Sequence, residues 1–167
     1  MKKLILLRHA KSSWDKLNLD DIDRPLSKRG VYSAKLMQSF IEENYQNYSF
    51  DVFSSLSLRT KSTCEIVFSK KIKINYVQHL YTFHFQDLIV WLKKENKNDA
   101  IFMVGHNPAF LDLIQFLASN KTEIIFPTCA LCEIHLNIDS WNDIKKNCGE
   151  IKLLQKVKKL KNYNFTK

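Results

Sequence analysis

The chain has 167 residues, of which 45% are apolar and 26% charged, with three Gly and three Pro. That is an ordinary globular balance for one domain with one sizeable core, and it excludes collagen-like and low-complexity chains. Net charge is +9, and residues 145–167 hold eight Lys against one acidic residue, Glu150. That excess reads either as attraction to an acidic partner or as a solvated, frayed lysine-rich end from about residue 156.

Lys3–Leu7 is a continuous apolar run, the pattern of a buried strand. The run ends at Arg8-His9, too short for a signal peptide and far short of a bilayer span, so a cytoplasmic protein without membrane contact is expected. Ser27 is a candidate N-cap. From it Val31, Ala34, Met37, Ile41 and Tyr45 recur at helical spacing, and the predicted helix runs through Asn44. Phe50–Ser54 reads as a second strand, and Ser57 as the cap of a helix to about Phe68. Ile72–Val77 reads as a third strand, and Phe85–Glu95 as a helix with Leu88, Trp91 and Leu92 on one side. Ala100–Val104 is the fourth strand, closed by Gly105; Pro108 suits the first turn of a helix to Ser119. Thr128–Ile138 and Glu150–Gln155 read as two later strands, with a turn at Trp141.

Strands and helices alternate four times with short joints. That predicts a single α/β domain over residues 1–167, a three-layer sandwich with a mostly parallel central sheet between helices. Ligands of such sheets sit beyond the carboxyl ends of the strands. Arg8-His9 follow the first strand, Ser54, Ser55 and Arg59 the second, and Gly105-His106-Asn107 the fourth. Two Arg and two His therefore gather at one edge of the sheet. Guanidinium forks match phosphate oxygens, and a neutral imidazole can act as a nucleophile. Taken singly, each of these residues reads more readily as a surface charge or a structural histidine. All four at strand ends describe a phosphoryl site with a histidine nucleophile and no metal or other cofactor.

Cys129 and Cys132 have C-x-x-C spacing, but three residues along a strand turn the two thiols to opposite faces. With no second pair, a zinc or redox role is not expected.

The stretch Leu6-Leu7-Arg8-His9-Ala10-Lys11-Ser12-Ser13-Trp14 resembles the opening of the histidine phosphatase superfamily, in particular its SixA-type phosphohistidine phosphatase branch. The likeness continues through Asp23-Arg24-Pro25-Leu26-Ser27-Lys28-Arg29-Gly30, through Ser54-Ser55-Leu56-Ser57-Leu58-Arg59-Thr60 with Thr63, and through Val104-Gly105-His106-Asn107-Pro108. Leu80-Tyr81 and Thr128-Cys129-Ala130 also fit. Ala10, Lys11, Leu56 and Ser62 depart from the commonest superfamily pattern, and none supplies an atom the chemistry requires. The resemblance implies His9 as nucleophile, with Arg8, Arg59 and His106 catalytic and binding phosphate, and Asn107 among the phosphate-binding residues. It implies a phosphohistidine-bearing protein, such as a phosphotransfer domain, as partner.

Superfamily members that act on esters protonate the leaving alkoxide with a carboxylate. In the mutase-like branch it follows the third strand. Here Gln78–Phe85 contains none before Asp87. His79 and His84 read as surface or packing residues. About seven residues join the third strand to the next helix, too few for a lid. Both features favour a phosphorylated imidazole on a protein over a sugar phosphate. A small-molecule phosphomonoesterase is the alternative within the superfamily. A non-enzymatic basic module is a third reading, and a nucleic-acid partner is not expected.

Overall fold

The computed structural model describes residues 1–15, 18–46, 49–68, 72–94, 98–119 and 123–161. Six strands form one sheet in the order β3-β2-β4-β1-β5-β6. They are β1 (Lys2–Arg8), β2 (Asp51–Ser54), β3 (Ile74–Tyr76), β4 (Ala100–Gly105), β5 (Leu131–Leu136) and β6 (Gly149–Gln155). The β3-β2, β2-β4 and β4-β1 pairs are parallel, while β5 runs antiparallel to both β1 and β6. The helices are α1 (Lys28–Tyr45), α2 (Leu58–Val67), α3 (Phe85–Lys94), α4 (Ala109–Leu117) and α5 (Val157–Leu160).

Helices cover both faces, which gives the three layers expected. One core joins Leu4, Leu6, Ile101 and Met103 of the sheet to Leu88 and Leu92 of α3 and to Phe110, Leu113 and Ile114 of α4. The other joins Ile5, Leu7, Phe102 and Val104 to Ala34, Met37 and Ile41 of α1, Val67 of α2 and Leu160 of α5. Successive residues of β1 thus alternate between the two cores, as the period of two along a strand requires. The caps lie where the sequence placed them. Ser27 accepts from Gly30 N, and Ser57 from Thr60 N.

Beyond end shifts of one or two residues, the elements differ from expectation in three places. β3 is shorter than Ile72–Val77. β5 starts at Leu131 because a turn precedes it, with Cys129 at φ 59°. Cys129 therefore lies outside the strand, yet the thiols still part: Cys129 packs in the α1 core and Cys132 in the α4 core. Helix α5 is the third difference. Val157 and Leu160 bury their side chains in the α1 core, so the lysine-rich segment is packed as far as Leu160. The rest of that end, from residue 162, lies outside the described residues. Among the described residues, no helix is long and apolar enough to cross a membrane.

The sheet order fixes the position of the site. β1 and β4 are neighbours, but the chain leaves β1 through α1 on one face and β4 through α4 on the other. Their carboxyl ends therefore open a crevice between diverging loops, the switch point where α/β sheets hold ligands.

Candidate active site

Backbone hydrogen bonds clamp the crevice from three sides. His9 N donates to Gly105 O at 3.0 Å, tying the end of β1 to the end of β4. Ser55 N donates to Val104 O at 3.0 Å, which brings in the end of β2. Cys129 N donates to both Arg8 O (3.1 Å) and His9 O (3.0 Å), so the turn before β5 closes the other side. Thr63 on α2 is fully buried. Its Oγ1 accepts from Ala10 N at 3.0 Å and donates to Arg59 O at 2.7 Å. The residue after the histidine is thus locked to the helix that carries Arg59.

One glycine is required by close approach. A Cβ on Gly30 would lie 2.1 Å from the carbonyl oxygen of Lys11. The same oxygen accepts from Ser27 N at 2.9 Å and from Ser27 Oγ at 3.0 Å, so the start of α1 is seated on the segment that follows His9.

The structure brings together His9, Arg8, Arg59 and His106. His9 Nδ1 lies 2.8 Å from Ala10 O, an acceptor only, so Nδ1 carries the proton and Nε2 keeps its lone pair. The His9 and His106 ring centroids are 5.2 Å apart. His106 Nε2 lies 2.8 Å from Ser55 Oγ, and its Nδ1 lies 3.4 Å from Arg59 Nη2. A guanidinium offers no acceptor, so Nδ1 faces it with the lone pair and the Nε2 proton goes to Ser55. Tyr81 and Phe83 pack against the His106 ring at 5.4 and 6.0 Å between centroids.

Both imidazoles are buried among cations. Burial first, and then Arg59 and Arg8, outweigh the Ala10 hydrogen bond and push the His9 pKa down to about 4. Burial, then His9 and Arg59, push His106 down to about 2. Both rings are therefore neutral at pH 7, the form in which an imidazole can act as a nucleophile. Arg8 Nη1 donates to Phe126 O at 3.0 Å, while its buried Nε has no hydrogen-bond partner. An unpaired buried guanidinium N–H is costly unless an anion completes it. Asn107 is placed differently from the other four: its Nδ2 donates to the same Phe126 carbonyl at 3.0 Å, which braces the turn beneath Arg8.

The cleft above these groups has a volume of about 450 Å³. Lys11, Ser12, Trp14, Arg29 and Thr128 share its walls with Arg8, His9 and Arg59. Trp14 is 64% exposed, and Arg24 stacks on it with Cζ 3.5 Å from the ring centroid. Among the described residues, no three His, Cys, Asp or Glu side chains gather as a metal site.

Lys11, Ser12, Trp14, Arg29 and Thr128 were not expected as site residues, although they lie in or beside the motifs read from the sequence, and the one acidic wall residue was missed outright. No carboxylate was expected near the reacting groups, yet Asp21 lines the same walls. Its Oδ2 accepts from Arg59 Nη2 at 2.8 Å and from Tyr81 OH at 2.7 Å, and its backbone oxygen accepts from Arg59 Nη1. Burial works to raise its pKa. The Tyr81 and Arg59 hydrogen bonds and the Arg59 and Arg24 charges prevail and hold it below the usual carboxylate range. The only advance signal was proximity to the Asp23-Arg24-Pro25 motif. Asp87, the carboxylate that the sequence pointed to, accepts from Thr82 Oγ1 at 2.6 Å at the start of α3 and is not among the residues lining this cleft.

Comparison with known proteins gives a consistent family. The family model of the histidine phosphatase superfamily (branch 1) matches residues 4–99. An uncharacterised chloroplastic protein of Arabidopsis thaliana is 28% identical over 159 residues, covering 85% of this chain and 70% of that protein. The 2,3-bisphosphoglycerate-dependent phosphoglycerate mutase of Methanococcus vannielii is 35% identical over 81 residues, 47% of this chain but only 33% of the mutase. The solved structure of the protein histidine phosphatase SixA with tungstate superposes at a TM-score of 0.75 and 18% identity, over 95% of this chain and 99% of that one. A phosphoserine phosphatase of Entamoeba histolytica, in complex with phosphoserine, superposes at 0.67 and 14% identity, over 94% and 98%. At these identities the two superpositions establish a shared fold.

Proposed function

The chain belongs to the histidine phosphatase superfamily, branch 1, and within it we propose a metal-independent phosphatase that hydrolyses phosphohistidine on a protein. His9 Nε2 attacks phosphorus, the P–N bond of the substrate breaks, and its electron pair returns to the departing imidazole. Water then attacks the phosphorus on His9, and phosphate leaves. With Nδ1 still protonated against Ala10 O, the phosphorylated ring is an imidazolium, which makes it a ready leaving group in that second step. Arg8 and Arg59 neutralise the phosphoryl charge. As the phosphoryl group arrives, its negative charge raises the affinity of His106 Nδ1 for a proton, and the ring becomes a further donor.

The observation that carries this reading is the lone pair on Nε2 of a neutral His9, in a cleft lined by Arg8 and Arg59 and with the His106 ring 5.2 Å away. The open cleft suits a side chain on another protein, such as a phosphotransfer domain. Four free, buried cysteines suit a reducing compartment, and we place the protein in the cytoplasm. A small-molecule phosphomonoesterase is the second reading. Asp21 favours it, because a carboxylate in the cleft is the group that ester hydrolysis uses as an acid. The depressed pKa of Asp21 weighs against that role.

The test is a hydrolysis panel in excess chelator, with a phosphohistidine protein, phosphoramidate, an aryl phosphate and alkyl phosphates side by side. The phosphohistidine protein should turn over fastest and alkyl esters barely. Equal turnover of alkyl esters would transfer the assignment to the phosphomonoesterase.

A further inference from the structure

The reaction as written leaves Asp21 unused. Its carboxylate is 48% exposed in the cleft, 2.8 Å from Arg59 Nη2 and 2.7 Å from Tyr81 OH. An anion in this place weakens the pull of Arg59 on a phosphoryl group. Arg59 also holds the backbone oxygen of Asp21, so the carboxylate is anchored in the wall of the cleft that it shares with His9 and Arg8. Being ionised, it is a hydrogen-bond acceptor and not an acid.

The chemistry of transfer between two imidazoles calls for such an acceptor. Phosphorus leaves one ring nitrogen and bonds to His9 Nε2. The departing ring leaves as neutral imidazole only if its other nitrogen already carries a proton; otherwise it must leave as the far more basic imidazolate. On the enzyme side the equivalent proton sits on His9 Nδ1, and Ala10 O accepts it at 2.8 Å. The substrate ring needs an acceptor of its own.

We infer that Asp21 is the specificity-determining residue of this site: its carboxylate accepts a hydrogen bond from the distal N–H of the phosphorylated imidazole. This rests on the phosphohistidine reading above. A charge-assisted bond of this kind is roughly twice as strong as a neutral one. It strengthens as the substrate ring holds positive charge, so it favours the protonated, reactive form. An alkoxide has no N–H to offer, and its growing negative charge would face the carboxylate. Asp21 thus selects for a cationic nitrogen leaving group and against an ester.

The experiment compares N-phosphorylimidazole with p-nitrophenyl phosphate in D21N and D21A, reading the ratio of the two kcat/KM values. Any disturbance of Arg59 or of phosphoryl binding lowers both substrates together and cancels in the ratio. Both variants should lower the ratio tenfold or more, about 1.4 kcal/mol of discrimination. A smaller change in either variant overturns the inference. If the wild type instead turns over alkyl esters as fast as a phosphohistidine protein, the functional reading falls and the inference with it. A wild-type preference for phosphohistidine that stays undiminished in D21N removes the role of Asp21 alone.

Discussion

Replacing Ser55 by Ala isolates the support of His106 from its chemistry. Ser55 is fully buried, and its Oγ accepts from His106 Nε2 at 2.8 Å and more weakly from Ser57 N at 3.4 Å. Alanine leaves the imidazole N–H without an acceptor, and a buried unsatisfied donor costs ~1–3 kcal/mol. At a loss of about 2 kcal/mol, a chain of this size should melt ~4–8 °C lower. Activity should fall as well. Losing one donor to a developing oxyanion costs ~10²- to 10³-fold in kcat. Here the donor remains but loses its fixed angle, while Tyr81 and Phe83 still hold the ring faces. A fall of roughly ten- to a hundredfold is expected, in kcat more than KM. The assay is steady-state turnover of an aryl phosphate with thermal melting of the same samples. In a His106→Ala background, Ser55→Ala should add almost nothing further to the activity loss, because the two act as a unit. Full kcat in Ser55→Ala, or additive losses in the double variant, would refute the argument that Ser55 acts through His106.

Further outcomes are expected. His9→Ala should abolish turnover, and the wild type should trap acid-labile, alkali-stable phosphate on His9, read by peptide mapping after a quench; Arg59→Ala should fold but lose ~3–4 kcal/mol of transition-state stabilisation. Folding stability should decline as pH falls from 6.5 toward 5. Both histidine pKa values are depressed in the fold, so the unfolded chain takes up protons first, and each ring costs up to about 1.4 kcal/mol per pH unit below its unfolded value. Urea melts across that window should show the slope, and a His9→Asn/His106→Asn variant should flatten it. Gly30→Ala should destabilise by at least ~1–3 kcal/mol, because the new methyl meets the fixed Lys11 carbonyl and not a movable side chain; a melting temperature equal to wild type would show that α1 can lift away freely.

Local residue patterns made the elements and most of the candidate site residues legible. Apolar runs marked the strands, helical spacing and Ser27 or Ser57 marked the helices, and alternation of the two forced a mostly parallel sheet. Arg8 ends β1, and His9 and His106 directly follow β1 and β4, so all three had to lie at the carboxyl edge of one sheet; the pairing of β1 with β4 then made them neighbours. These inferences succeed because they depend on backbone geometry, which local residue patterns control. Asp21 shows where that control stops. It meets Arg59 across 38 residues and Tyr81 across 60, and no local period encodes either meeting. Asn107 shows the same limit: its position beside His106 was legible, but its amide went to Phe126 O. Helix α5 went unpredicted because one turn with two apolar residues, Val157 and Leu160, has no measurable period of its own. It exists because α1 and the sheet leave an apolar surface for those two side chains to cover. The fold's frame was thus a property of the chain read locally. The carboxylate beside the phosphoryl site was decided only when loops distant in sequence packed against each other, where burial and charge set what each group can do.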